Sequence, residues 1–197
     1  MILEGVVTTL NSSGSLNVAP MGPHFSEGFE KFVVRPYRTS TTYQNLKSSG
    51  VGIFHVTDDV LLIARAVIGS TVEPPTRPAE RIHGQILLDA CRYYEFRVVE
   101  ELAHESRAGF VVETLASGRL RDFLGFNRAK HAVLEAAIIA TRTRLLTADS
   151  ILTDFKRLKM IVGKTAGPEE FEAFRLLEEY VFQQITSKPS SEDPTGL

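Results

Sequence analysis

Tryptophan is absent from this 197-residue chain and cysteine occurs once, as Cys91. No internal disulfide can therefore form, and a cysteine-built zinc site is excluded. The histidines His24, His55, His83, His104 and His131 show no HxH, HExxH or CxxC-type spacing, so no metal site is expected. Charge of neither sign dominates: 22 Lys and Arg face 24 Asp and Glu, a net charge of −2. That balance removes the bulk electrostatic case for a nucleic-acid partner. No apolar run approaches the roughly 20 residues of a membrane span. The first residues, Met1 to Gly5, carry neither a basic stretch nor a long apolar one, so the expectation is a soluble, cytoplasmic protein with no membrane partner. Missing too are GxGxxG, Walker and GxSxG runs, which disfavours a Rossmann fold, a P-loop enzyme and a hydrolase elbow.

What the chain does have is ample apolar content, 43% of residues, enough to bury a core without disulfide or metal staples. Its two halves differ in texture. Residues 1 to about 122 are rich in β-branched residues, Gly and Pro, whereas 127–185, within a C-terminal region of 123–185, is nearly continuous helical pattern. Residues 4–10 and 16–20 flank the turn cluster Asn11-Ser12-Ser13-Gly14-Ser15 and read as a hairpin. A strand over 32–35 stops at Pro36, a short helix spans 41–48 with Gly50 as its left-handed cap, and 51–56 is a strand. Asp58 and Asp59 offer N-caps to a helix beyond them, and the Pro-rich segment 69–80 reads as a surface connection. Residues 92–121 form one long hairpin turning near Arg107-Ala108-Gly109. Helices follow over about 128–146, 150–162 (stopping at Gly163) and 168–185, and a polar tail, 186–197, is expected to be disordered. The first helix has a broad apolar surface with many alanines, which implies close packing on more than one side. Strands followed by helices define an α+β class, with a small barrel compatible.

One segment carries chemistry. In Arg35-Pro36-Tyr37-Arg38-Thr39-Ser40-Thr41-Thr42-Tyr43-Gln44 two arginines and four consecutive hydroxyl residues meet a helix start. Unpaired N–H groups, the helix dipole, hydroxyls and guanidinium groups together suit a dianionic phosphate. A plain alternative stands beside it: Thr41-x-x-Gln44 fits a capping box, and hydroxyl clusters often begin helices without a ligand.

The runs Asn17-Val18-Ala19-Pro20-Met21-Gly22, Val34 to Leu46 and Phe54-His55-Val56-Thr57-Asp58-Asp59 resemble an uncharacterised archaeal and bacterial family of the FMN-binding split-barrel group. That group also holds flavin reductases and pyridoxamine phosphate oxidases. Phe126-Asn127-Arg128-Ala129-Lys130-His131-Ala132 resembles the family's helical extension. The resemblance implies an FMN-binding split β-barrel over 1–122 with a C-terminal helical region, and a homodimer with FMN near the subunit interface. It implies that Arg38, Thr39, Ser40, Thr41 and Thr42 hold the phosphate with Arg35 as a second cation, while Asn17, Ala19, Pro20 and Met21 line the isoalloxazine edge. The expected function is that of a flavin-dependent oxidoreductase of unknown substrate, the alternatives being a non-enzymatic flavin carrier or redox sensor, or a helical module without cofactor.

Asn127, Arg128 and His131 sit at a helix start, with His131 and Glu135 four residues apart. They read either as groups near the flavin, with His131 a proton donor, or as a cap with solvated neighbours. Tyr93 and Tyr94 either stack on the flavin or alternate across a strand, and alternation is the simpler reading. Cys91 reads as a small buried hydrophobe, and His24 and Glu27 lie in a loop that the resemblance puts near the ring. No residue is assigned a catalytic role.

Overall fold

The computed structural model describes residues 1–25, 28–70, 73–102 and 109–187. Glu27, the expected turn at Arg107-Ala108 and most of the expected tail, 188–197, lie outside them. Two compact units divide the chain, Met1–Gly125 and Phe126 onward.

The first unit is built on one antiparallel sheet. Its strands are β1 (Gly5–Leu10), β2 (Leu16–Met21), β3 (His24–Phe25), β4 (Lys31–Val34), β5 (Val51–Val56), β8 (Arg92–Leu102) and β9 (Gly109–Arg119), in the order β2-β1-β5-β8-β9-β4-β3. The edge strand β3 returns to the residues preceding β1. Ile2 bridges His24, Leu3 N–H donates to the Pro23 carbonyl at 3.2 Å, and Phe25 N–H donates to the Met1 carbonyl at 2.8 Å. The ladder thus curls back on its own first residues, which lessens the exposed-edge problem of an open sheet. Two register shifts in the β8–β9 pair, at Glu95/Phe96 and Val98/Glu100, supply the extra twist such a curl needs.

Strand alternation fills the two faces differently. Val7, Phe32, Val34, Phe54, Tyr94, Phe96 and Val112 pack with Leu46 of helix α1 (Thr41–Ser49) into the inner cluster, where Phe25 stacks on Phe32 at 4.7 Å. Ile53 and Tyr93 point the other way and meet Ile86. The alternation reading of the tyrosine pair holds. Gly5 is required by close approach, since a Cβ there would lie 2.3 Å from the His55 carbonyl oxygen. Ile86 belongs to a small hairpin, β6 (Thr76–Pro78) with β7 (Gln85–Leu87), set inside the stretch expected to be a bare connection. Buried Glu95 accepts the N–H groups of Glu80 (2.8 Å) and Arg81 (2.7 Å) and ties down the turn of this hairpin.

His55, 0% exposed on β5, accepts the Leu87 N–H at its Nε2 (3.0 Å), which fixes the neutral ring with its proton on Nδ1. Burial pushes its pKa down to about 3, outweighing the Val6 and Ile53 carbonyls that favour the charged ring. Helix α2 (Val60–Val67) is capped by Asp59, which accepts the Leu62 N–H at 2.9 Å. Asp58 does not share that role: it is buried and pairs with Arg121.

The second unit holds α3 (Arg128–Ala140), α4 (Ala148–Thr165) and α5 (Pro168–Thr186). Helix α3 packs on both others, as its run of small buried residues implies. It ends at Ala140 rather than 146. There the Thr141 hydroxyl donates to the Ile138 carbonyl and Arg142 N–H reaches back three residues to Ile139, tightening the chain into turns. Helix α4 runs through Gly163 and stops at Ala166, because Pro168 opens the next helix two residues on.

Candidate functional site

The start of α1 is shaped by the turn that precedes it. Ser40 N–H donates to the Tyr37 carbonyl at 2.9 Å, and the Ser40 hydroxyl donates to the same oxygen at 2.7 Å while accepting Tyr43 N–H at 3.2 Å. Ser40 is therefore the N-cap, and the capping box expected on Thr41 and Gln44 is not formed. Gln44 instead donates to the Arg38 carbonyl at 3.4 Å. The Thr41 and Thr42 N–H groups find no acceptor among the described residues, as expected of an open helix end. Thr39 and Thr41 are exposed, and their hydroxyls make no hydrogen bond among the described residues. Arg35, also exposed, likewise forms no hydrogen bond or ion pair there. No acidic residue lies in the first turn of α1.

Thr42 faces inward and is 2% exposed. Asn17 on β2 donates to its hydroxyl at 3.1 Å and to Thr9 on β1 at 3.0 Å. Asn45, one turn along α1, donates to Thr9 at 2.9 Å and to Asn11 at 2.9 Å. This network brings Asn17 and Thr42 together and pins the first turns of α1 to β1 and β2. Thr9, Asn11 and Asn45 were missed by sequence reasoning. The available signal was the Thr42–Asn45 spacing, which puts two polar groups on the helix face that also carries Leu46. Ala19, Pro20 and Met21 lie on β2 opposite Val7, Val6 and Gly5, and every residue of this outer strand is half-buried. Proline is tolerated at such an edge because no ladder donor is lost. Met21 packs against the inner cluster.

Arg38 turns toward Tyr43, donating to its hydroxyl at 3.3 Å with the guanidinium 5.8 Å from the ring centre, and lies 4.0 Å from Glu101. The same carboxylate accepts from the Tyr43 hydroxyl at 3.3 Å and pairs with Lys47. The bond to Lys47 holds the Glu101 carboxyl below its ordinary range and the ammonium above its own. Both groups are solvent-screened.

The remaining candidates lie on other elements. In the second unit Asn127 caps α3, its Oδ1 accepting Ala129 N–H (2.7 Å) and Lys130 N–H (3.1 Å) while its amide donates to the Thr165 carbonyl (3.1 Å). Arg128 and His131 are exposed, His131 lies 5.8 Å from the Phe126 ring, and no ion pair joins it to Glu135. Cys91 is buried with its sulfur 3.7 Å from Asp58, and burial followed by that carboxylate pushes the thiol up, away from nucleophilic use. His24 sits on β3, its pKa lowered by burial and then by Arg35. Among the described residues no cluster of three or more His, Cys, Asp or Glu could hold a metal ion.

An antiparallel sheet curled into a half-barrel, with helices beside it, is the architecture of the FMN-binding split-barrel proteins. The N-terminal model of the family described as protein of unknown function (DUF447) matches residues 3–121, and the family's second model matches 127–179. The chain belongs to the DUF447 family. It is similar to the FMN-bound protein of that family from Methanosarcina mazei, with a TM-score of 0.79 and 22% identity over 91% of this chain and 94% of that one. It also resembles a flavoredoxin from Methanosarcina acetivorans (TM-score 0.53, 15% identity, 63% and 72% covered). A third likeness is to the 2-nitrobenzoate 2-nitroreductase of Pseudomonas fluorescens (0.51, 20%, 59% and 64%). No curated protein sequence matches the chain. Among the described residues no helix is long and apolar enough to cross a membrane.

Proposed function

We propose that the chain is an FMN-binding flavoprotein that works as a flavin-dependent oxidoreductase, with the flavin phosphate at the start of α1. The observation that carries this is the donor set: among the described residues two N–H groups have no acceptor and two hydroxyls no hydrogen bond, with Arg35 and Arg38 close by in sequence and no acidic residue in the first turn of α1. Plain capping uses Ser40 and the Thr42 network and leaves those other groups unexplained. The FMN carried by the Methanosarcina mazei relative supports the same reading.

In it, Thr39, Ser40, Thr41 and the guanidinium groups hold the phosphate. Thr42 holds the helix start in place through Asn17. The β2 residues Ala19, Pro20 and Met21 supply a half-buried edge against which a flat ring can lie and from which water is partly excluded. Bound FMN would supply the redox chemistry, accepting and passing on electrons at its ring. Arg128 and His131, exposed on the first turns of α3, are the second unit's candidates for contact with the flavin or its substrate. A homodimer belongs to this reading too, since the outer strand β2 has a further surface to cover.

Replacing Arg38→Ala together with Ser40→Ala weakens FMN binding tenfold or more, about 1.4 kcal/mol at minimum, with riboflavin binding unchanged. An unaltered FMN titration in that double variant removes the phosphate from this place. Steady NAD(P)H consumption with an added acceptor separates an enzyme from a carrier, which would hold flavin at full occupancy without turnover.

A further inference from the structure

Glu101 stands near the end of β8, yet its partners all come from α1 and the turn before it: Lys47, the Tyr43 hydroxyl and, at 4.0 Å, Arg38. The fold does not need a carboxylate here. Exposed ion pairs contribute little to stability, and the inner cluster of the sheet is formed by other residues. The effect of Glu101 is local. It puts a carboxylate within ion-pair reach of the cation closest in sequence to the open end of α1.

We infer that Glu101 is an intramolecular competitor for the FMN phosphate, exchanging with it for Arg38 and so setting flavin affinity below what the same donors would otherwise give. The inference rests on the phosphate reading above. Lys47 makes the exchange cheap, because the carboxylate keeps one close cation when Arg38 leaves it. Tyr43 touches both Arg38 and Glu101 through its hydroxyl, so its ring can hold the guanidinium beside the helix start in either pairing.

The test is a titration of the flavin-free full chain with FMN and, separately, riboflavin. Wild type, Glu101→Gln, Glu101→Ala, Arg38→Ala and the Arg38→Ala/Glu101→Gln double variant are compared at low and high salt. FMN binding is expected to tighten about two- to fivefold in both Glu101 variants, more at low salt, with riboflavin unchanged and the gain lost in the Arg38→Ala background. If wild type prefers FMN over riboflavin but neither Glu101 variant differs from it, the competition is overturned while the phosphate site stands. An equal gain in the Arg38→Ala background overturns it as well, since Glu101 would then act by simple repulsion. Wild type that binds FMN and riboflavin equally removes the phosphate reading and this inference together.

Discussion

The two units bury different chemistry. In the first, Thr8, Thr9, Thr42, Asn45, His55, Asp58 and Glu95 are buried as well as the aromatic cluster. In the second, α3 turns Ala129, Ala132, Val133, Ala136, Ala137 and Ala140 inward, and the buried polar residues among those described are Thr143 and Glu170. A curled sheet leaves its loops and short helices to be tied down by side chains, and hydrogen bonds do that with direction. Three packed helices satisfy their own backbones and ask for close approach, which alanine gives. The first unit should therefore respond to protons and the second to volume.

The largest expected effect breaks the second unit. Ala136→Leu adds three carbon atoms where α3 meets its neighbours and should cost about 3 kcal/mol. Denaturant titration should give the same loss at pH 7 and pH 5, and a loss under about 0.5 kcal/mol would mean the packing has slack. Next comes the pH response of the first unit. The folded-state pKa of His55, about 3, lies below its ordinary value, so protonation favours the unfolded chain. His55 then adds no penalty above pH 7, and stability falls as pH drops from about 6.5 towards 3, by about 2 kcal/mol between pH 7 and pH 5. His55→Gln keeps an acceptor for the Leu87 N–H and should flatten that slope. An unchanged slope in the variant assigns the acid sensitivity to other groups.

How far the sequence exposed these differences depends on distance along the chain. The hairpin of β1 and β2, the strand 51–56, the Gly50 cap (φ 69°) and the Pro168 helix start are local, and each was legible from turn and cap chemistry. The β6–β7 pair was not, because Thr76–Pro78 carries proline and the hairpin gains its place from Ile53, His55 and Glu95 across the sheet. The same holds for the site. The hydroxyl run marked the helix start, but partner choice is tertiary: Asn17 to Thr42, Asn45 to Thr9, and Glu101 to Arg38 span 25, 36 and 63 residues, the last being 101 minus 38. Residue type predicted that donors would gather near residue 40. Which of them would be used up by the fold needed the ladder order.

The smallest predicted effect sharpens the contrast at the two helix starts that sequence put forward together. At α3 the cap is fuller: Asn127 Oδ1 serves two N–H groups and its amide holds the Thr165 carbonyl. At α1 Ser40 serves one, and two N–H groups remain open among the described residues. Asn127→Ala should therefore lower stability by about 1 kcal/mol and leave FMN affinity within about twofold. Asn127→Asp keeps both accepted bonds and gives up only the tie to Thr165, so it should recover most of the loss. Ser40→Ala should show the reverse balance, with a flavin titration that shifts more than its melting curve. If Asn127→Ala instead weakens FMN binding with stability intact, Asn127 itself is a ligand and the distinction drawn from spent and open donors fails.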